Sequence, residues 1–186
     1  YKNFYLKKFI KKNNFIEIYN KNYFKTNMVY SMFLAHKFVN QDTVVVYGDI
    51  IFSSKIYKLL EENKNIIPAN KNWLKNWVGR MGIKKTLKDA ESFKFNKNKL
   101  IDIGGTIDNK NLPKLQFMGL LKITLKTFKI LHLIFKLKKN NRIDFTSFLN
   151  YSIKKKKILF NVKKYKGKWF EVDSENDFKF AQKKLK

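Results

Sequence analysis

Asp49 and Asp173 are the residues of this sequence best placed to do chemistry. Each carboxylate closes a strand-like apolar run, Thr43-Val44-Val45-Val46-Tyr47-Gly48-Asp49 and Trp169-Phe170-Glu171-Val172-Asp173. The first run has the near-continuous apolar character of a buried parallel strand, and open α/β sheets bind ligands just beyond the carboxyl ends of such strands. A plain turn at Gly48-Asp49 is the competing reading. Two carboxylates of this kind suit a hard cation, because Mg²⁺ is commonly held by one or two carboxylates together with substrate phosphates. A second constellation is Trp73 and Trp77, four residues apart and followed by Arg80, one of two arginines in the chain. Core packing is the alternative for paired tryptophans at that spacing. His36 and His132 fall on expected helices and read as packing or surface residues rather than bases.

The elements that must position these groups follow an α/β rhythm. Apolar residues at Phe4, Tyr5, Phe9 and Ile10 indicate a helix running to Lys12, and Phe15 to Tyr19 reads as a strand. Thr26 or Asn27 can cap a helix from Met28 to Phe38, ahead of the Thr43 strand. Ser53 or Ser54 opens a further helix with Ile56, Leu59 and Leu60 on one face, and Asn65 to Pro68 is the next strand. Ala90 to Asn96 and Leu100 to Ile103 read as an antiparallel pair. Leu115 to Ile123 is strand-like, and Gly119 within it suggests close approach of a ligand or backbone. Thr124 to Leu137 indicates a long helix burying Leu125, Phe128, Leu131, Leu133 and Phe135, and another begins at Asp144 with Phe145, Phe148 and Leu149 inward. Ile158 to Val162 and Trp169 to Val172 are the last strands. Ser174 to Asp177 resembles a capping box for a terminal helix that buries Phe178 and Ala181.

Composition narrows the function classes. The 186 residues suffice for one domain with a full core, and no internal repeat is evident. There is no cysteine, which excludes disulfides, thiolate metal sites and cysteine nucleophiles and fits a reducing compartment. The longest apolar run, Ile130 to Phe135 between Lys129 and Lys136, is too short to span a membrane, and no signal-peptide pattern follows Tyr1. These features lead us to expect a cytoplasmic protein. The net charge of +27 invites a polyanion-binding reading, yet the cations are almost all Lys, and the phosphate- and base-reading fork belongs to Arg. Lys, Asn, Ile, Phe and Tyr abound together, as low genomic GC content produces, and the Lys residues are spread along the chain. The Lys154 to Lys157 run reads as a solvated face.

Four segments, in order, carry a resemblance: Tyr19-Asn20 through Tyr23 to Thr26-Asn27 and Ser31; Val46-Tyr47-Gly48-Asp49; Trp73 to Arg80 with Asp89-Ala90-Glu91; and Trp169 to Asp173 leading into Asn176-Asp177 and Ala181. Gln116 to Lys122 also looks like a strand ending in Gly-Leu. Over nearly its whole length the chain resembles the MobA-like nucleotidyltransferases of the GT-A type. Within them it is most similar to cytidylyltransferases acting on phosphocholine and related phosphorylated substrates, with sugar-phosphate nucleotidyltransferases as relatives. The resemblance implies an α/β fold: a Rossmann-like three-layer mixed sheet, forming a single domain over residues 1–186. It implies transfer of a nucleoside monophosphate, CMP by the closest match, from an NTP to a small phosphorylated acceptor with release of pyrophosphate. Asp49 and Asp173 would hold Mg²⁺; Thr26, Asn27, Ser31, Tyr47 and Gly48 would bind the nucleotide; Trp73, Trp77, Arg80, Trp169 and Glu171 would bind the acceptor. An aromatic wall with a carboxylate suits a quaternary ammonium.

One departure stands out. The family begins with a strand and a Gly-rich loop bearing Arg and Lys that grips the triphosphate, and nothing here corresponds to it, Gly104-Gly105 falling far too late. The chain is therefore expected to be N-terminally truncated, with Tyr1 to Lys12 matching the helix and turn after the loop. Alone, such a chain would be a poor catalyst. Asn70 stands where relatives often carry an acid. A hexose-1-phosphate nucleotidyltransferase is the alternative within the class, and a non-catalytic basic nucleic-acid-binding module, disfavoured by the scarcity of Arg, is the alternative outside it.

Overall fold

Ile66 and Ile67 are adjacent in sequence and both fully buried, which requires helices on both faces of the strand that carries them. The computed structural model describes residues 3–107 and 111–185; Tyr1 and Lys2, at the head of the segment expected to follow the loop, lie outside the described residues. The strands are β1 (Thr43–Val46), β2 (Ile50–Phe52), β3 (Ile66–Asn70), β4 (Phe93–Asn96), β5 (Lys99–Ile103), β6 (Gln116–Phe117), β7 (Leu120–Ile123), β8 (Asn161–Tyr165) and β9 (Trp169–Glu171). The α-helices are α1 (Lys7–Lys12), α2 (Met28–Leu34), α3 (Trp73–Asp89), α4 (Leu125–Lys138), α5 (Phe145–Lys156) and α6 (Glu175–Leu185).

A seven-stranded mixed sheet runs β1-β7-β3-β8-β5-β4, with β6 also paired to β3. Among the described residues β3 with β8 is its parallel pair, and the others are antiparallel. A separate two-stranded ribbon joins β2 to β9. One core holds Ile67, Ala69, Leu121 and Ile123 against α2, α4 and α5; the other holds Ile66, Leu120, Trp73, Trp77 and Trp169 on the α3 side. Alternate strand residues thus feed two layers of helices, giving the α/β fold with helices flanking a mixed sheet. Among the described residues no helix is long and apolar enough to cross a membrane.

Helix starts follow the expected chemistry. Thr124 accepts from Thr127 N, Asp144 from Ser147 N, and Ser53 from Lys55 N, while Asp177 and Ser174 bond reciprocally at the start of α6. Ser53 caps a 3-10 helix, Ser54–Leu60, rather than an α-helix. Phe15 to Tyr19 is not a strand: among the described residues no strand is paired to it, and Phe15, Ile16 and Tyr19 are exposed. The Thr43 strand is not a buried parallel one. β1 forms an edge of the sheet, antiparallel to β7, and Val44 and Val46 are exposed. Leu133 and Phe178, expected inward, are also exposed, at 57% and 46%.

Gly119 breaks β6 from β7 at φ +70°, and a Cβ there would lie 2.8 Å from the Tyr47 ring. Left-handed strain and the ring clash together make Gly119→Ala cost about 2 kcal/mol or more. Thermal unfolding should show a clear drop in Tm; an unchanged Tm would refute this role for Gly119.

Candidate active site

The β2–β9 ribbon answers how two acids more than a hundred residues apart come together. Ile50 pairs with Glu171, and Val172 N donates to the Asp49 carbonyl at 2.8 Å, so Asp49 and Asp173 emerge side by side at the same end of the ribbon. Both line one cleft of about 310 Å³ with Met28, Tyr47, Trp77, Arg80, Asp89, Glu91, Gln116, Phe117, Asp144 and Glu171 among its walls. Six carboxylates around one arginine form a strongly acidic pocket in a chain of charge +27.

Arg80 is the hub of that pocket. Its side chain is 6% exposed, and it reaches Asp173 at 2.8 Å, Glu171 at 3.2 Å and Asp177 at 3.7 Å while lying over the Trp77 ring. Burial pushes Glu171 up to about 8 against the opposing pull of Arg80, with Asp173 and Asp49 adding to the rise. Asp173 is thus held by Arg80, whereas the Asp49 side chain has no protein partner among the described residues. Among those residues no three His, Cys, Asp or Glu side chains converge as a self-sufficient metal site. The donor set fits a cation that takes its remaining ligands from substrate phosphate.

On the opposite wall Thr146 Oγ1 stands 3.2 Å from Glu91 Oε1 and 3.1 Å from Asp144 Oδ1, although one hydroxyl proton can serve only one of them. Burial, reinforced by Asp144, raises the pKa of Glu91, with Thr146 opposing. Burial also works against Asp144, but bonds from Ser147 and Thr146 hold it below the ordinary range. The folded state therefore grips the Glu91 proton more tightly than the unfolded chain does. Its stabilising effect is present below the ordinary value of 4.5 and lost as pH rises through the elevated folded value. Glu91→Gln should flatten that decline, measured as Tm against pH; parallel profiles for the two proteins would contradict it. Tyr47, Phe117 and Phe145 complete the wall, Phe117 stacked on Phe145 at 6.4 Å and Tyr47 edge-on to both.

Thr26, Asn27, Ser31, Tyr47 and Gly48 converge on a neighbouring cavity of about 610 Å³ that also reaches Asp49. Asn20 positions two of them by donating to Thr26 Oγ1 at 3.0 Å and Ser31 Oγ at 2.9 Å, and Asn27 caps α2. Met28, Tyr47, Asp49 and Phe145 line both cavities, so the two adjoin at Asp49. Of the five residues assigned to the acceptor, Trp77, Arg80 and Glu171 line the acidic cleft. Trp73 and Trp169 do not: they are 2% and 0% exposed, pack in the α3-side core, and donate to the Pro113 and Met118 carbonyls. Residue type and spacing cannot tell a cleft tryptophan from a core one. Glu91, Asp144 and Gln116 were not singled out as site residues, although Asp89-Ala90-Glu91 and the helix start at Asp144 were legible signals. His36 and His132 pack together at 4.4 Å and line neither cavity.

Known nucleotidyltransferases share this fold. No family model matches the chain. It is 28% identical over 175 residues to a CTP:phosphoglutamine cytidylyltransferase of Campylobacter jejuni subsp. jejuni, an alignment covering 85% of this chain and 68% of that protein. Solved structures share the fold, among them the following two. The inositol-1-phosphate CTP transferase from T. maritima has a TM-score of 0.71 at 19% identity, covering 94% of this chain and 68% of that one. The CTP:phosphocholine cytidylyltransferase from Streptococcus pneumoniae has a TM-score of 0.70 at 14% identity, covering all of this chain and 75% of that one. The resemblance read from the sequence is upheld: the chain is a homologue of nucleotidyltransferase enzymes and has their fold.

Proposed function

We propose that this protein transfers CMP from CTP to a small phosphorylated acceptor whose remaining part is cationic, the class that includes phosphocholine and phosphorylated amino compounds. The observation that carries this reading is the junction of the two cavities at Asp49. A nucleotide in the larger cavity, against Thr26, Asn27, Ser31, Tyr47 and Gly48, brings its phosphates to the same carboxylate that an acceptor in the acidic cleft must approach. A phosphate oxygen of the acceptor attacks the α-phosphorus of CTP. The bond to the bridging oxygen breaks, and pyrophosphate leaves with the electron pair. Asp49 and Asp173 would hold Mg²⁺, which when bound neutralises charge on the reacting phosphate. The protein's share is mainly positioning, and Glu91 and Asp144 supply the complement to a cationic head. Homology to a phosphoglutamine enzyme and shared fold with a phosphocholine enzyme support that acceptor class.

The reading also assigns the triphosphate-gripping loop to residues preceding Tyr1. Support comes from the open edge of β1, where the larger cavity continues as an apolar groove along Ala35, Val39 and Thr43 to Val46, and from the exposed Tyr5, Phe9, Phe15 and Phe24 nearby in sequence. An added strand would cover the β1 edge. Reading the upstream codons tests this: an in-frame Gly-rich segment with Arg and Lys is expected, and a start codon at this position without one would overturn it. The transfer itself is tested by product analysis with CTP, UTP, dTTP and GTP against phosphocholine, phosphoglutamine and hexose 1-phosphates. A CDP-linked product of an amine-bearing acceptor is expected; a nucleotide sugar as main product would favour the hexose-1-phosphate alternative instead.

A further inference from the structure

A phosphate entering the acidic cleft meets six carboxylates and an arginine that is already spent. Arg80 Nη1 donates to Asp173 at 2.8 Å, Arg80 Nη2 to Glu171 at 3.2 Å, and Nε is buried. Phosphate oxygens are hydrogen-bond acceptors like the carboxylates around them, so they need a donor there that no carboxylate has taken. Thr146 does not supply it, because its hydroxyl lies between Glu91 and Asp144. Tyr47 does. It lines both cavities where they adjoin at Asp49, and its backbone N–H donates to the Gly119 carbonyl at 2.8 Å. Its ring lies against the Gly119 α-carbon and stands edge-on to Phe117 and to Phe145, each centroid 5.8 Å away. Packed on three sides, the ring has one place to put its hydroxyl. The carboxyl groups acting on that hydroxyl are those of Glu91, Asp144, Asp49 and Glu171, all of which line the acidic cleft. It makes no hydrogen bond among the described residues, and it is not one of the polar atoms sealed in the wall, as Trp77 Nε1 and Gln116 Oε1 are.

We infer that the Tyr47 hydroxyl donates a hydrogen bond to a non-attacking oxygen of the acceptor's phosphate, which makes Tyr47 a catalytic residue on the acceptor side as well as a wall of the nucleotide cavity. A phenol is a neutral donor at neutral pH, so it receives the phosphate without cancelling the acidity that draws a cationic head to Glu91 and Asp144. The two ends of the acceptor are thereby read by different groups of one cleft. Holding the phosphate at the Asp49 junction leaves another of its oxygens free to approach the α-phosphorus, which is the positioning that nucleotidyl transfer requires. This rests on the reading of the acidic cleft as the acceptor site.

The test is Tyr47→Phe in the protein expressed with its upstream codons, with binding measured by calorimetry. The substitution keeps the ring that packs on Gly119, Phe117 and Phe145 and deletes a hydroxyl with no protein partner, so the variant should fold, as circular dichroism and Tm confirm. The probes are phosphocholine, phosphoglutamine and glucose 1-phosphate. Every one of these monoesters that wild-type protein binds should bind the variant about tenfold more weakly, the effect of one hydrogen bond to a charged group, because the hydroxyl reads the phosphate and not the head. CTP affinity should stay within about twofold. Monoester binding within about threefold of wild type, or a loss that falls on CTP instead, overturns the inference. Pyrophosphate release by wild-type protein with CTP, Mg²⁺ and each monoester reads the transfer separately. Release that does not depend on Tyr47 overturns the inference and keeps the transfer; Tyr47-dependent binding with no release does the reverse; wild-type protein that binds no monoester overturns both.

Discussion

Asp49→Asn should lower CMP transfer on the order of 10³-fold while the protein remains folded. Under the proposed mechanism the Asp49 carboxylate is the charge shared by the nucleotide cavity and the acceptor cleft, and a metal ligand in this position supplies several kcal/mol of transition-state charge stabilisation. The substitution is structurally quiet for a stated reason. The Asp49 contact with β9 runs through its backbone carbonyl, which accepts from Val172 N, and asparagine keeps that bond. Its side chain has no protein partner among the described residues, so stability has nothing to lose. Pyrophosphate release with saturating CTP and acceptor is the measurement. Retention of more than a tenth of the activity by a folded Asp49→Asn protein would remove Asp49 from the metal site.

Arg80→Met should act in the opposite sense, costing stability first. The guanidinium is nearly inaccessible and faces Glu171, Asp173 and Asp177, whose side chains are 23%, 61% and 13% exposed. The exposed Asp173 contributes little by itself. Asp177, 13% exposed, is the costly partner, since Glu171, pushed up to about 8, carries little charge at neutral pH; leaving Asp177 without its counter-charge and the cluster without the guanidinium's hydrogen bonds costs about 3 kcal/mol. For a chain of this length that corresponds to a fall in Tm of roughly 10 °C. Arg80→Lys should recover only part, since one ammonium cannot reproduce the forked contact and its stacking on Trp77. A Tm within 2 °C of wild type for Arg80→Met would show that the cluster is solvated rather than locked.

Local signals carried well from sequence to structure, and relational ones did not. Thr124, Asp144, Ser53 and the Ser174-Asp177 pair cap helices as their types demand, because capping needs only the next turn of chain. The five residues assigned to the nucleotide all line one cavity, since they come from two short segments already adjacent in the motif order. The β1 run has the composition of a buried parallel strand yet lies antiparallel at the sheet edge, because its apolar residues do not say what pairs with them. Phe15 to Tyr19 has strand-like composition, but among the described residues no strand is paired to it. Trp73 and Trp77 differ by one helical turn, yet one donates to Pro113 in the core and the other borders the cleft. Glu91, Asp144 and Gln116 became legible as a site only when β6, α5 and the end of α3 met, a juxtaposition that no local spacing records.

Product formation from CTP is the most direct measurement of the central claim. The protein, expressed with its upstream codons, is incubated with CTP, Mg²⁺ and phosphoglutamine or phosphocholine, and the products are resolved by mass. The account predicts a CDP-linked acceptor and one pyrophosphate per turnover, both lost in Asp49→Asn. Hydrolysis of CTP without a CDP-linked product, or a product that forms equally well in Asp49→Asn, would contradict it.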